Sequence, residues 1–471
     1  MITMKAHLTL LAASVLLAAC ASQAPRPHSG LQLPAQWHTP HAADASALDR
    51  QWWTTFGSPE LDQLIDQARL GSFDLAGAIA RVRQAQASAV IAGAPLLPEL
   101  GAGLTASRQK RMYAYRSGAQ DSSSTGKATN SYQATLSATY EVDFWGGKRA
   151  GRDSAEYGLQ ASQFERDTVE LTLLSSVADH YTRWLALVEQ QRIAEQNLAN
   201  AQSVLHLVQS RYDAGSATAL ELAQQKSLVA AQQRQLPLLA QDAEQTLISL
   251  AALLGQPRQH LQLDREAFAR LSWPDIDASL PSELLTRRPD IASAEAQLAA
   301  AQADVRVARA NMLPALTLTA GVGSGAAHVD DMLRNPVYNL GAGLVAPIFN
   351  AGRLKAERDK ASARQQELLQ TYRGAIINGF ADVEKALNSI RGLDQQRQWQ
   401  REELAQAQRA FQIAQRRYQA GAEDLLTVLE TQRTLFAAQD DNVQLRRSRL
   451  QASIALYKAL GGGWQASPQV H

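Results

Sequence analysis

Ser131-Tyr-Gln-Ala-Thr-Leu-Ser-Ala-Thr-Tyr-Glu-Val-Asp-Phe-Trp-Gly-Gly147 is the stretch that decides the fold. Within it Tyr132, Ala134, Leu136, Ala138, Tyr140, Val142 and Phe144 alternate with Gln133, Thr135, Ser137, Thr139, Glu141 and Asp143. An unbroken period of two, apolar against hydroxyl, amide and carboxylate, describes a strand with lipid on one side and water on the other. It also describes a sandwich strand with one solvated face. The rest of the chain decides between the two.

The start of the chain points to the envelope. Met1 to Ala19 carries one positive charge, Lys5, before an apolar run from Leu8 to Leu17, which is the form of a secretory signal. It ends in Leu17-Ala-Ala-Cys20, similar to a bacterial lipobox, so Cys20 is expected to carry a covalent lipid and to be the mature N-terminus. Cys20 is the sole cysteine and has no partner for an intramolecular disulfide. Ala21 rather than Asp follows it, which by resemblance to Gram-negative lipoproteins implies sorting to the outer membrane. Residues 20–47, with Pro25, Pro27, Pro34 and Pro40, read as an extended tether from this lipid to the folded body. His28, His38 and His41 lack the spacing and acidic partners of a metal site.

Composition excludes other classes. Of 471 residues only 6% are aromatic, and the apolar fraction is supplied largely by Ala and Leu, a helix-rich balance. Loss of the signal removes Lys5, so 45 basic residues face 45 acidic ones, and there is no nucleic-acid footprint. Past the signal no apolar run approaches the roughly 18 residues of a membrane-spanning helix, so any crossing is made by strands.

Three landmarks recur in the same order. Ala92-Gly-Ala-Pro-Leu-Leu-Pro98 is echoed by Ala308-Arg-Ala-Asn-Met-Leu-Pro314, Phe144-Trp-Gly-Gly-Lys148 by Phe349-Asn-Ala-Gly-Arg353, and Arg211-Tyr-Asp-Ala-Gly215 by Arg417-Tyr-Gln-Ala-Gly421. The offset of about 205 to 216 residues makes the chain a tandem duplication, with repeats at 48–260 and 261–460 and a tail at 461–471. Each repeat supplies two strands, at 100–109 and 132–144 in the first and at 315–323 and 338–349 in the second. Four strands in lipid leave unpaired edges that hydrocarbon cannot satisfy. A spanning chain must therefore oligomerise, with two copies giving eight strands and three giving twelve.

Very long helices follow each strand pair. Between Gly158 and Gly215 there is no glycine or proline, a length of roughly 85 Å as one helix. Leu174, Val177, Tyr181, Trp184 and Val188, then Leu198, Ala201, Leu205, Val208 and Tyr212, recur at three and four, as do Leu369, Tyr372, Ile376, Phe380, Val383, Leu387 and Ile390 with one register shift. These are coiled-coil seams. Gly215 and Gly421 read as hairpin tips.

The chain resembles the outer membrane factors, the TolC-like and OprM-like exit ducts of efflux and secretion machines, and within them the lipoprotein branch paired with RND pumps. The resemblance rests on Trp52-Trp53-Thr-Thr-Phe56-Gly57-Ser-Pro-Glu-Leu61, on Arg287-Arg-Pro-Asp-Ile291 with Ala294-Glu295, on the two proline turns, and on Arg-Tyr-x-Ala-Gly at both tips, followed at the second by Leu426-Thr-Val-Leu-Glu-Thr-Gln-Arg-Thr-Leu435. One departure is Gly71-Ser72, where the family often has asparagines, with only a local change in a turn expected. The resemblance implies an α+β membrane protein: a homotrimer sharing a twelve-stranded β-barrel in the outer membrane of a Gram-negative bacterium, continued by a helical tunnel with an equatorial domain. It implies passive conduction of small molecules, such as drugs, xenobiotics or siderophores, from a periplasmic adaptor and an inner-membrane RND or ABC transporter, without cofactor or nucleic acid.

By the same resemblance Arg211, Gly215, Arg417 and Gly421 are adaptor contacts. Glu221, Tyr418, Leu425 and Glu430 are candidates for a periplasmic gate, Leu425 as a lumen-facing apolar residue and Glu430 in an inward acidic ring. Glu423 stands where one arrangement in the family has a basic residue, and Thr427 where it has an acid. No phosphate loop, His-Glu-x-x-His or nucleophile elbow occurs, so catalysis is not expected. An ABC-type protein secretion duct and a pore-less periplasmic coiled-coil lipoprotein are the alternatives.

Overall fold

The computed structural model describes residues 29–39, 49–110, 128–263, 268–273, 276, 278 and 281–465. Cys20, the signal and most of the first interstrand loop lie outside them. A 3-10 turn at Trp52–Phe56 leads to α1 (Pro59–Gly71) and α2 (Phe73–Gly93), then to β1 (Glu99–Lys110), β2 (Ala128–Val142), α3 (Gly147–Asp213) and α4 (Ala219–Leu253). The second repeat has α5 (Leu284–Arg287), α6 (Pro289–Ala310), β3 (Ala315–Ala326), β4 (Pro336–Val345), α7 (Arg353–Gln419) and α8 (Leu425–Ala459).

The strands form one antiparallel sheet in the order β1-β2-β3-β4. Its register places Ala102, Leu136, Val322 and Tyr338 in one row, and Gly101, Ser137, Gly321 and Asn339 in the next. One face is therefore largely apolar, and the other carries mostly hydroxyls, amides and glycines with the carboxylates of Glu99 and Glu141, as a strand between lipid and water requires. Two strands end earlier than their alternation suggests. β2 stops at Val142 because the Asp143 carboxylate turns to accept the backbone N–H groups of Lys148 (2.9 Å) and Arg149 (3.0 Å), capping the start of α3. β4 stops at Val345 ahead of Pro347, which has no N–H to continue a ladder. Phe144, Trp145, Ile348 and Phe349 thus sit at the strand-to-helix junctions, all exposed, where aromatic side chains mark a membrane boundary. β1 and β4 are the sheet edges, and every residue in both is exposed. Among the described residues no helix is long and apolar enough to cross a membrane.

Below the sheet, α2 packs on α3, α3 on α6, and α6 on α7. Towards the far end the neighbours change to α4 on α3, α3 on α8 and α8 on α7. Each level is thus a row of four helices from one chain. The α3 seam there is Ala194, Asn197, Ala201, Val204 and Val208, at spacings of three and four. Ala201 and Val208 belong to the predicted seam, whereas Tyr212 is 40% exposed.

The core lies where the two levels meet. Trp52 stacks on Tyr457 with centroids 5.1 Å apart, beside Phe56, Leu61, Ile65, Val177, Leu185 and Leu250. Tyr181 is fully buried, and its hydroxyl donates to Glu60 Oε2 at 2.8 Å. The N-terminal stretch 29–39 is no free tether: it has no regular secondary structure, yet Trp37 is buried and meets Phe380 edge-on at 5.9 Å.

Gly71-Ser72 changes more than a turn. Ser72 is both the C-cap of α1 and the N-cap of α2, accepting from Leu75 N. A Cβ on Gly71 would overlap the Leu254 carbonyl oxygen, and one on Gly255, at φ +68°, would overlap that of Gly71. The second repeat has the same crossing, with Gly461 against the Arg287 carbonyl. Gly146, at φ +72°, has nothing within 4 Å. We predict that Gly146→Ala costs only the left-handed backbone penalty, about 1–2 kcal/mol, and that Gly255→Ala costs more because a backbone oxygen must also move. Thermal unfolding of the detergent-solubilised protein, followed by its helical signal, checks the order.

Candidate gate and docking tips

Both helical hairpins end in the same way. Gly215 (φ +73°) donates its N–H to the Tyr212 carbonyl at 2.9 Å, and Ser216 donates to that of Arg211 at 2.8 Å. Gly421 (φ +77°) and Ala422 do the same with Tyr418 (3.0 Å) and Arg417 (2.8 Å). These are Schellman closures, which need a residue in the left-handed region, and the space where a Cβ would stand is open at both glycines. The glycines are thus explained by backbone geometry, and the surface around them is free.

The two tip arginines differ. Arg211 leaves its own turn and reaches the other hairpin, where its Nη1 donates to the Tyr418 carbonyl at 3.0 Å and its guanidinium lies 4.6 Å from the Tyr418 ring centre. This combines a charge-assisted hydrogen bond with a cation–π contact. Arg417 folds back on its own turn, with Nε 3.1 Å from Glu423 Oε2 and Nη2 donating to the Ala422 carbonyl. Glu423, out of place in an ion-pair latch, therefore closes the second tip locally. With Arg417 more than half exposed, this pair is worth little stability.

The gate candidates fall into three situations. Glu221 is engaged locally in a capping box with Thr218: its carboxylate accepts the Thr218 N–H, and its own N–H donates to Thr218 Oγ1 at 3.2 Å. Tyr418 is 2% exposed, and its hydroxyl has no hydrogen-bond partner within the described chain. Burial pushes its phenol up, with the Arg211 cation opposing and the Glu221 carboxylate adding to the rise, so Tyr418 and Glu221 are electrostatic neighbours. Leu425 does not face a lumen. It is 1% exposed and belongs to a buried cluster drawn from both hairpins, with Val208 and Leu222 of the first and Phe411, Val428 and Leu429 of the second.

Its neighbour Leu426 is 63% exposed and shares a helix face with exposed Glu430, four residues on. Leu220, at the corresponding place in the first repeat, is 67% exposed. The sequence signal for this pair is available only once the repeat is aligned, since both follow the helix-capping residue by two. Deeper in the hairpins lie Gln225 and Gln432, both fully buried and one position out of step between the repeats. Gln225 Nε2 donates to the Ala201 carbonyl at 2.8 Å, whereas neither amide atom of Gln432 has a partner.

α8 begins at Asp424, whose side chain accepts the Thr427 N–H at 2.8 Å. That hydrogen bond holds the Asp424 carboxyl below its ordinary value. A carboxyl lowered in the folded state contributes stability that is present above its unfolded pKa and is lost as pH falls through the lowered one. We predict that acidification below the usual carboxylate range frays the first turn of α8, seen as faster amide exchange at Thr427–Leu429. Asp424→Asn, which keeps the cap without a titrating proton, removes that pH dependence.

The comparisons with known proteins fit this geometry. The family profile of the outer membrane efflux proteins matches residues 64–256 and 280–462, one match in each repeat. The chain is 61% identical over 464 residues to the pyoverdine export outer membrane protein OpmQ of Pseudomonas aeruginosa strain PAO1, covering 98% of each chain. It is 58% identical to the protein of the same name from Pseudomonas putida KT2440, covering 98% of this chain and 99% of the relative. Among solved structures, the outer-membrane channel OprN superposes with a TM-score of 0.85 at 26% identity, covering 94% of this chain and 99% of that one. With the tandem repeat, the four-stranded sheet and the paired hairpins, these matches show that the chain belongs to the outer membrane efflux protein family, whose members are channels and not enzymes.

Proposed function

We propose that this protein is the outer-membrane exit duct for a siderophore of the pyoverdine class, working as a homotrimer with a periplasmic adaptor and an inner-membrane pump. The observation that carries the substrate is the 61% identity, along essentially the whole of both chains, to a pyoverdine export protein. Three copies join β4 of one to β1 of the next, and the twelve strands leave no free edge in the hydrocarbon. The row of Gly101, Ser137, Gly321 and Asn339 faces the water-filled path, which suits a large hydrogen-bonding cargo. Cys20, outside the described residues, carries the lipid anchor.

At the periplasmic end, Leu426 and Glu430 from three copies form the constriction, and Tyr418 with Glu221 holds the hairpins in their closed arrangement. Arg211, Gly215, Arg417 and Gly421, with Leu220, form the surface that meets the adaptor. Leu426→Ala is predicted to raise single-channel conductance in planar bilayers severalfold. Leu425→Ala is predicted instead to destabilise the hairpin by about 2–5 kcal/mol, as a buried leucine truncation does, and unchanged conductance in Leu426→Ala removes that residue from the gate.

For the function as a whole, deletion of the gene is expected to hold newly made siderophore in the periplasm, measured by mass spectrometry of periplasm and medium. Gly215→Arg with Gly421→Arg is expected to fail to restore export while native mass spectrometry still shows trimers. Normal secretion in the deletion strain sinks the siderophore assignment, and loss of trimers in the double variant gives the glycines a folding role alone.

A further inference from the structure

Two of the long helices have one face fixed by what lies on it. On α7, Arg373, Phe380 and Glu384 hold the N-terminal strap at 29–39: Arg373 Nε donates to the Ser29 carbonyl at 2.7 Å, Trp37 meets Phe380, and Glu384 accepts the Thr39 N–H at 3.3 Å. On α8, Arg446 donates to the Ala269 and Leu271 carbonyls of the connector between the repeats, and Tyr457 stacks on Trp52. Strap, connector and the Trp52–Phe56 turn are joined in one layer, since Trp37 donates to the Ala278 carbonyl and Ser272 to that of Thr55. In a trimer, twelve helices with axes about 9–10 Å apart make a ring of about 18 Å radius, and their side chains narrow the bore to about 12 Å. Three copies of that layer do not fit in such a bore. The layer therefore lies outside, and the opposite faces of α7 and α8 line the tunnel.

Those inner faces share a cavity of about 580 Å³, with Lys385 and Ser389 of α7 and Ser448, Gln451 and Lys458 of α8 around it. At about 100° per residue, Ser389 and Lys385 lie about 180° and 140° around α7 from Phe380, and Gln451 and Lys458 about 140° and 120° around α8 from Arg446. Arg288 closes one end, where its Nη1 donates to the Ala459 carbonyl at 3.1 Å, but its charge is matched by Asp290 at 2.7 Å and Asp382 at 3.3 Å. Lys385 and Lys458 are exposed, and neither has an ion-pair partner among the described residues. On the other side of α8, Arg447 has Asp179 and Arg183 as charged neighbours, so that stretch of wall adds no excess of acid.

We propose that this groove is a docking place on the tunnel wall for a carboxylate-bearing cargo, with Lys385 and Lys458 taking the carboxylate, Ser389, Ser448 and Gln451 offering further hydrogen bonds, and three copies making a belt of six lysines. It deepens the reading of the chain as a siderophore duct and rests on the trimeric tunnel of that reading. A lysine on an open surface is screened within about 8 Å at physiological ionic strength. In a bore of about 12 Å radius no cargo passes farther than about one and a half such lengths from the wall, and a concave wall of one sign focuses its field inward. The belt thus concentrates anionic cargo at the equator. Each exposed lysine–carboxylate pair is weak, so the cargo is passed on and not trapped.

The test is fluorescence anisotropy of carboxyfluorescein added to full-length trimers in detergent, with a cationic rhodamine of similar size as counter-probe. Wild type is expected to bind carboxyfluorescein, and Lys385→Gln with Lys458→Gln to weaken that binding at least fivefold, whereas Lys385→Arg with Lys458→Arg stays within twofold of wild type. The rhodamine is expected to bind the glutamine variant no more weakly than wild type. Equal carboxyfluorescein affinity in wild type and the glutamine variant, equal losses in the glutamine and arginine variants, or a matching loss for the rhodamine each overturns the groove. Planar bilayers test its place in the path: the chloride-to-potassium permeability ratio, from the reversal potential in a KCl gradient, is expected to fall at least twofold in the glutamine variant, and an unchanged ratio puts the lysines outside the tunnel and overturns the proposal. Both probes are independent of the natural cargo. Lysine-dependent anion binding together with normal siderophore secretion by the deletion strain defeats the siderophore assignment and keeps the groove, lost secretion with no lysine effect does the reverse, and absence of trimers in native mass spectrometry of wild type defeats both.

Discussion

A backbone N–H or C=O in hydrocarbon has no water to turn to, and that requirement governs the rest of this molecule. The four strands satisfy one another along β1-β2-β3-β4 but leave β1 and β4 bare, so the chain is incomplete in a membrane until other copies supply the missing partners. Once three copies close the barrel, the circumference is set, and the helices hanging from it must fill the same ring. The chain does this by presenting four helices at each level, although they are not the same four: α2 and α6 serve near the membrane, and α4 and α8 serve towards the tips. The long helices α3 and α7 belong to both levels.

That exchange of short helices explains where the core is found. At the level where α2 begins and α4 ends, the chain must bring backbone segments close together, and it does so with glycines that allow carbonyls to lie where a Cβ would stand, Gly71 against Gly255 and Gly461 against Arg287. Around them sit most of the tryptophans and tyrosines of the buried core, including Trp52 on Tyr457 and Tyr181 on Glu60. Arg446 and Arg397 flank Trp273 at 5.0 and 4.3 Å, fastening the connector between the repeats to α7 and α8. Towards the tips a second buried cluster, including Val204, Val208, Phe411, Tyr418, Leu425 and Val428, holds the two hairpins together.

Much of this was legible in the residues. The alternation from Tyr132 to Val142 gave the strand and its two faces, because side-chain direction in a strand depends only on parity. The glycine tips were legible because a left-handed helix end leaves few alternatives to glycine. The pairing of β2 with β3 was not, since it joins residues nearly two hundred positions apart with no turn between them. Leu425 and Leu426 show the limit for helices: neighbours differ by about 100° around the axis, so choosing which one points away needs the phase of the whole hairpin. The strap at 29–39 was hidden for another reason, because proline-rich composition reports extension and says nothing about what the extended chain lies on. Gly71 looked like a tolerant turn position because the carbonyl that forbids a side chain there belongs to residue 254.

The unequal arginines at the two tips set the symmetry of the surface at the lower rim. Viewed by backbone alone, a trimer ends in six equivalent glycine turns at regular intervals. Viewed by side chains it ends in two alternating kinds, one whose arginine is drawn across to Tyr418 and one whose arginine is turned back on Glu423. A ring of six identical hairpins from a partner can seat its main-chain contacts at every position and still find only three places where a given side chain fits. The lower rim thus offers a coarse sixfold fit and a fine threefold one, and a docked ring slipped by one hairpin would match in shape while mismatching in charge.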